Sequence, residues 1–270
     1  MKLVTQTKPT TAPPRISAGL VQIFAAYSRR YLRRRFHTVR ILKNGVPPRD
    51  LSRPVVIYLN HSAWWDPLIC LRLAETYFAD RASYAPINAV ALQRYGFFKR
   101  LGFYGVEPAS VRGAMTFLRT TRAILGSSQN VVWLTPQGRF IDVRERPLRL
   151  QRGIGELAAQ IDNAIFLPLA IEYAFWTEPR PEILVSFGEP TIPRDDSRRG
   201  AQEWTEFFSN ALEEVQDELA ARSCRRDPTE WLVLDKGRSG VNAIYDTWRE
   251  LGARIRGKQF VADHHVEDFK

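Results

Sequence analysis

Apolar positions in this chain fall into short blocks at 55–59, 83–90, 103–106, 131–134, 164–173 and 183–187. Each block has strand length and is bounded by polar or turn-forming residues. Between them the spacing turns helical. Segment 67–79 carries Leu68, Leu71, Ala74, Tyr77 and Phe78 on one side. Segment 91–101 stops at Gly102, and 111–125 sets Val111, Met115, Leu118 and Ile124 on a periodic stripe before Gly126. A further helix is expected at 154–161. Strands alternating with helices predict an α/β fold, a mostly parallel or mixed sheet flanked by helices. Pro168 interrupts the longest apolar block and lacks an N–H, so that block is expected at a sheet edge or a bulge. The block at 183–187 is the last strand expected. Beyond 196 the pattern is helical, at 201–222 and 241–256, and ends in a polar tail. Residues 49–195 thus read as the α/β core and 196–270 as a helical extension of the same domain.

The N-terminal pattern is different. Residues 1–14 are rich in Thr and Pro and are expected to be disordered. Segment 15–48 reads as a basic amphipathic helix and a linker. Leu20, Ile23, Phe24 and Tyr27 share a stripe, followed by Arg29, Arg30, Arg33, Arg34 and Arg35. The apolar stretch is short for a membrane span, and no small-residue cleavage site follows it. Such a helix fits a membrane interface, with its arginines at anionic headgroups. The alternative is a helix packed on the body with a solvated basic edge.

Composition narrows the partners. At 270 residues with 44% hydrophobic content, the chain has enough apolar side chains for a substantial core. The net charge of +10 favours an anionic partner. Zinc-ligand spacing, RNA-binding aromatic signatures and recognition-helix patterns are all missing, which argues against nucleic acid and leaves an anionic membrane surface or an acidic small molecule. Cys70 and Cys224 have neither metal nor redox spacing, which fits a reducing compartment and peripheral association at a cytoplasmic membrane face. His264 and His265 form a pair in the polar tail, with little to suggest a metal.

The chemistry centres on 54–67, PVVIYLNHSAWWDP. The strand at 55–59 delivers Asn60 and His61 to its carboxyl end. Asp66 followed by Pro67 is a helix start: Asp caps free amides and Pro fits the first turn. In a continuous helix, side chains five residues apart sit roughly 140° apart at about 3.6 residues per turn. A loop before the helix is therefore needed to turn the carboxylate back onto the imidazole. A histidine oriented by a carboxylate at a sheet mouth is the arrangement of a general base. Two other strand ends carry polar groups: Glu107 with Pro108, and Gln137, Gly138 and Arg139.

N-H-S-A-W-W-D resembles the H-x-x-x-x-D motif of the glycerolipid acyltransferases, which include the lysophosphatidic acid acyltransferases. T-P-Q-G-R resembles that family's F-P-E-G-T-R signature. G-V-E-P and L-P-L-A-I fall where the family has a short strand with an acidic-basic pair and a V-P-V-type strand. All four occur in the family's order across residues 50–190. The resemblance implies acyl transfer from acyl-CoA or acyl-carrier protein to a lipid hydroxyl, without a cofactor and without a covalent acyl-enzyme. His61 would be the general base and Asp66 its orienting carboxylate. Asn60, Ser62, Glu107, Arg112, Gln137, Gly138, Arg139 and Pro168 would contact substrate.

The chain also departs from that pattern. Gln137 stands where the family has Glu, keeping the shape and an acceptor oxygen but losing the charge. Arg139 lies one place early and Phe140 takes the position of the family's Arg. Pro108 replaces a basic residue associated with the acceptor's phosphate, and Arg112 is the nearest substitute. A phosphate-free acceptor, such as a glycosylated lipid, is therefore expected beside the lysophospholipid reading. The basic segment Arg144, Arg146, Arg149 and Arg152 is a candidate site for the donor's phosphates. The rival functions are an acyl thioesterase using the same His and Asp on water, and a non-catalytic binder of anionic membranes. A G-x-S-x-G elbow is missing, which disfavours a serine hydrolase.

Overall fold

A computed structural model describes residues 12–49, 51–196 and 199–237 of the chain. The expected helix at 241–256, the paired His264 and His265, and most of the expected N-terminal disorder lie outside these residues. In order, the elements are α1 (Ala18–Arg35), β1 (Thr38–Leu42), β2 (Val55–Leu59), α2 (Asp66–Tyr77), β3 (Ala82–Asn88), α3 (Ala89–Arg94), β4 (Phe103–Val106) and α4 (Val111–Ile124). They continue with β5 (Asn130–Leu134), α5 (Gly153–Ala158), β6 (Ile165–Ala174), β7 (Glu182–Phe187), α6 (Ala201–Arg225) and β8 (Trp231–Lys236).

The strands form one eight-stranded sheet in the order β4-β3-β5-β2-β6-β7-β1-β8. The five from β4 to β6 run parallel, whereas β7 is antiparallel to β6, β1 is parallel to β7, and β8 is antiparallel to β1. The α/β fold with a mixed sheet is as the sequence pattern implies. Every residue of β2 is buried because the sheet is covered on both faces. Its side chains alternate: Val55, Ile57 and Leu59 pack with Leu32 of α1 and Ile69 and Leu73 of α2, while Val56 and Tyr58 pack with Ile124, Leu157 and Phe208 from α4, α5 and α6. Fully burying one such side chain stabilises the fold by about 1.5–3 kcal/mol.

Several expectations are corrected. β6 is not an edge strand, since it pairs with β2 on one side and β7 on the other. The missing N–H of Pro168 explains how it fits. Amides along a strand alternate between neighbours; Ile165 N–H reaches Pro54 on the β2 side and Phe166 N–H reaches Thr191 on the other. The Pro168 nitrogen therefore faces the β7 side, where β7 has ended at Phe187 and the chain bows before Thr191. Gly188 lets the chain close there: its amide bonds the Pro168 carbonyl at 3.0 Å, and a Cβ would lie 2.9 Å from the proline ring.

Second, residues 38–42, expected within the amphipathic helix and linker of 15–48, form β1. Arg40 hid this strand by its charge, yet it is accommodated by Glu182 at 3.1 Å and by the Trp176 ring. Third, the chain makes another strand after 187: β8 covers β1. The helix expected over 91–101 is split into α3 and a 3₁₀ segment, which stops at Gly102 with a φ of +95°.

Helix α1 forms as expected but turns another face inward. Ala25, Ser28 and Leu32 are buried, while Ile23 and Tyr27 are 70% and 56% exposed. Arg33, Arg34 and Arg35 sit in its last turn, where cations suit the helix dipole. Among the described residues no helix is long and apolar enough to cross a membrane.

Candidate active site

Because β2 to β6 run parallel, their carboxyl ends share one edge of the sheet, the usual ligand edge of α/β folds. His61 follows β2 there, Glu107 follows β4, and Gln137 follows β5. Asp66 opens α2 and Tyr173 lies near the end of β6.

His61 Nδ1 is 2.7 Å from Asp66 Oδ2. The same oxygen accepts the backbone N–H groups of Ser62 and Ala63, each at 3.1 Å. Asp66 was expected to cap its own helix. Instead it is the first helical residue, and its carboxylate turns back over the preceding loop. The reason is local: the loop amides and the imidazole all point at it, and Asp66 is 1% exposed, so its charge needs those donors. A carboxylate on Nδ1 fixes the proton there, leaving Nε2 with the lone pair. The His61 side chain is 19% exposed, so the ring is reachable.

The turn after β5 clamps the His61 backbone. Gln137 Oε1 accepts the His61 N–H at 2.7 Å, and the Ile141 N–H reaches the His61 carbonyl at 2.9 Å. Gln137 is buried, and the contact uses an oxygen lone pair, which an amide supplies as well as a carboxylate does. The loss of charge at this position therefore leaves this role intact. Gly138 has a φ of +72°, the left-handed region that favours glycine, and its N–H closes a turn on Thr135 at 3.0 Å. Phe140 lies on the imidazole, with ring centroids 4.3 Å apart.

Other expected substrate contacts take different places. Asn60 is buried, and its amide makes both bonds to one residue: Nδ2 donates to the Ile171 carbonyl at 2.9 Å and Oδ1 accepts the Ile171 N–H at 2.8 Å. It is a brace between β2 and β6 rather than a lipid contact. Pro168 is buried within the sheet, in register with Tyr58, and is likewise removed from the edge. Ser62 works through its backbone, while its hydroxyl is buried without a partner among the described residues. Glu107 is exposed, and its carbonyl lies so close to α4 that a Cβ at Gly113 would sit 1.8 Å away. Arg112 is exposed on the first turn of α4. Arg139 points outward, 3.8 Å from Glu145.

The sequence reading missed Tyr173. Its hydroxyl donates to Asp66 Oδ1 at 2.6 Å. Burial, and then the Asp66 charge, push this phenol well above its ordinary range, so it remains a donor. The same two causes raise the Cys70 thiol, which stays protonated beside Asp66. The signal available was a tyrosine one residue before the end of a largely apolar strand, directly after Glu172.

Of the four arginines expected to hold phosphates, Arg144 is paired with Asp142, Arg146 with Asp217 and Arg152 with Glu156. Arg149 is exposed, and with Gln137, Arg139, Gln151 and Arg152 it borders a cavity of about 230 Å³ beside the His61 clamp. Trp64, Phe140, Val111 and Met115 are also exposed, on segments that follow the carboxyl ends of β2, β5 and β4.

Residues 33–172, more than half of the chain, match the family model described as Acyltransferase. No curated protein matches the sequence.

Proposed function

We propose a specific reaction for this chain, which belongs to the acyltransferase family of 1-acylglycerol-3-phosphate acyltransferase-like enzymes. It is an acyltransferase of the phospholipid/glycerol type. The proposed reaction is O-acylation: a fatty acyl group moves from acyl-CoA or acyl-carrier protein to a hydroxyl of a lipid acceptor. The observation that carries it is the 2.7 Å contact between His61 Nδ1 and a buried Asp66 at the ligand edge of the sheet. His61 Nε2 takes the acceptor's hydroxyl proton as that oxygen attacks the thioester carbonyl. The tetrahedral intermediate collapses by breaking the C–S bond, and the imidazolium returns the proton to the departing thiolate. Asp66 stabilises the imidazolium throughout. Such positioned proton transfer contributes about 10²- to 10⁴-fold. No covalent acyl-enzyme is required.

The acceptor in this reading is phosphate-free, a glycosylated or otherwise neutral lipid. Supporting it, Pro108 offers no cation after β4, and Arg139 is drawn toward Glu145. Arg149, beside the cavity next to Gln137, is the best-placed remaining cation for the donor's phosphates. Peripheral attachment to an anionic, cytoplasmic membrane face belongs to the same proposal. Exposed Ile23 and Tyr27 on α1 and Trp64 on the His61 loop support it, with Trp64 packed edge-on to Tyr31 of α1. Apolar and aromatic side chains with flanking arginines suit a lipid interface.

The test is product analysis by mass spectrometry, using the full chain, acyl-CoA, and a panel of lysophosphatidic acid, monoacylglycerol and glycosylated lipids. A His61-dependent acylated product from a phosphate-free acceptor is expected. Preferential, saturable turnover of lysophosphatidic acid overturns the acceptor assignment. Thioester loss that is indifferent to every acceptor identifies a thioesterase instead.

A further inference from the structure

Asp66 accepts from His61, Ser62 and Ala63 on Oδ2, but only from Tyr173 on Oδ1. The first three donors lie within five residues of it, whereas Tyr173 is 107 residues away on β6. That distant contact is braced from two sides. Asn60, next to His61, is bonded at both ends of its amide to Ile171, two residues before Tyr173. The Tyr173 ring rests on Phe36, with centroids 5.8 Å apart, and Phe36 in turn meets Trp65 edge-on at 5.0 Å. The hydroxyl therefore arrives at Oδ1 on a braced strand and a packed ring.

We propose that Tyr173 is a positioning residue for acyl transfer: its hydroxyl holds Asp66 Oδ1, and thereby keeps Oδ2 on His61 Nδ1. This inference rests on reading His61 as the base. A carboxylate held at Oδ2 alone is less tightly fixed about its Cβ–Cγ bond, and the imidazole it orients shares that looseness. Losing a donor also concentrates charge on the carboxylate and makes it more basic. A more basic partner favours the imidazolium, so the unprotonated imidazole needed as base appears only at higher pH. The titratable groups facing Asp66 among the described residues are His61, Tyr173 and Cys70, and the last two are held protonated by burial and by Asp66. His61 is thus the member of this set whose protonation the rate follows.

The test compares Tyr173→Phe, Phe36→Leu and His61→Ala in the full chain, with pH–rate profiles and thermal denaturation for each. Tyr173→Phe is expected to lower kcat about tenfold, the order expected for one hydrogen bond to a charged group. The acceptor KM should stay near wild type, and the acid limb of the profile should move to higher pH. Phe36→Leu loosens the ring packing but keeps the hydroxyl, so it should lower Tm and leave the acid limb in place. An acid limb unmoved in Tyr173→Phe, or moved equally in Phe36→Leu, overturns the assignment to the hydroxyl. A fully active His61→Ala would instead remove the base reading itself, a distinguishable result.

Discussion

The carboxyl edge of the sheet has two differently built halves. Around β2 and β6, Asn60, His61, Asp66 and Tyr173 each engage a partner between 2.6 and 3.1 Å, and Gln137 locks the His61 backbone from the neighbouring turn. Around β4 and the loop beyond Gln137, the side chains of Arg112, Met115, Arg139 and Arg149 are exposed, and Arg139 comes no nearer than 3.8 Å to Glu145. The first half has the rigidity that proton transfer requires, because a small misplacement of a base is costly in rate. The second half has the freedom that a long donor and a lipid acceptor of the proposed reaction would need. Rigidity is thus concentrated around the proposed base, His61.

The largest expected effect lies in the rigid half. His61→Ala should reduce kcat/KM by about 10²- to 10⁴-fold with acceptor binding retained, measured by turnover and by vesicle or ligand binding. Retained turnover would erase the contrast, since the ordered half would then be merely structural. A smaller effect tests the clamp. Gln137→Ala removes the partner of the His61 N–H and should lower kcat about tenfold. Gln137→Glu keeps an acceptor oxygen and should recover most of that rate at high pH. Its added negative charge favours the imidazolium, so its acid limb should lie above that of the wild type. If Gln137→Glu matches the alanine variant across the whole pH range, the amide nitrogen, and not the oxygen, is the functional part. The smallest effect belongs to the exposed half. Arg112→Ala and Arg149→Ala should each change KM by about two- to fivefold, in a salt-sensitive way, and leave kcat unchanged. A large kcat loss from either would show that the exposed half also carries chemistry.

Much of the scaffold was legible in the chain. β2, β4 and α4 occupy nearly the residues their hydrophobic periodicity indicates, because each is a short element whose burial pattern repeats within itself. The β1 and β8 end of the sheet was not legible. β1 carries Arg40, whose charge is met by Glu182, 142 residues away, and by the Trp176 ring. Glu182 itself is pushed up by burial, but the hydrogen bonds from His37 and Thr38 and the Arg40 charge outweigh that and hold it below its ordinary range. Pro168 was misplaced for a similar reason: nothing near it in sequence tells that β7 ends opposite its missing N–H.

The sequence by itself determined the His61–Asp66 contact. His61 and Asp66 are five residues apart, and a strand end, a loop and a helix start suffice to bring them together. Their contact depends on local backbone geometry, which local residue types encode. Only the tertiary structure decided what holds the pair still. Gln137 reaches His61 across 76 residues, Tyr173 reaches Asp66 across 107, and Asn60 reaches Ile171 across 111. Those contacts exist because β5 and β6 flank β2 in the sheet, an order set by the burial of the whole core on two faces. A hydrogen bond between distant residues leaves no periodicity in the chain, so its partners become visible only when the strands are laid side by side.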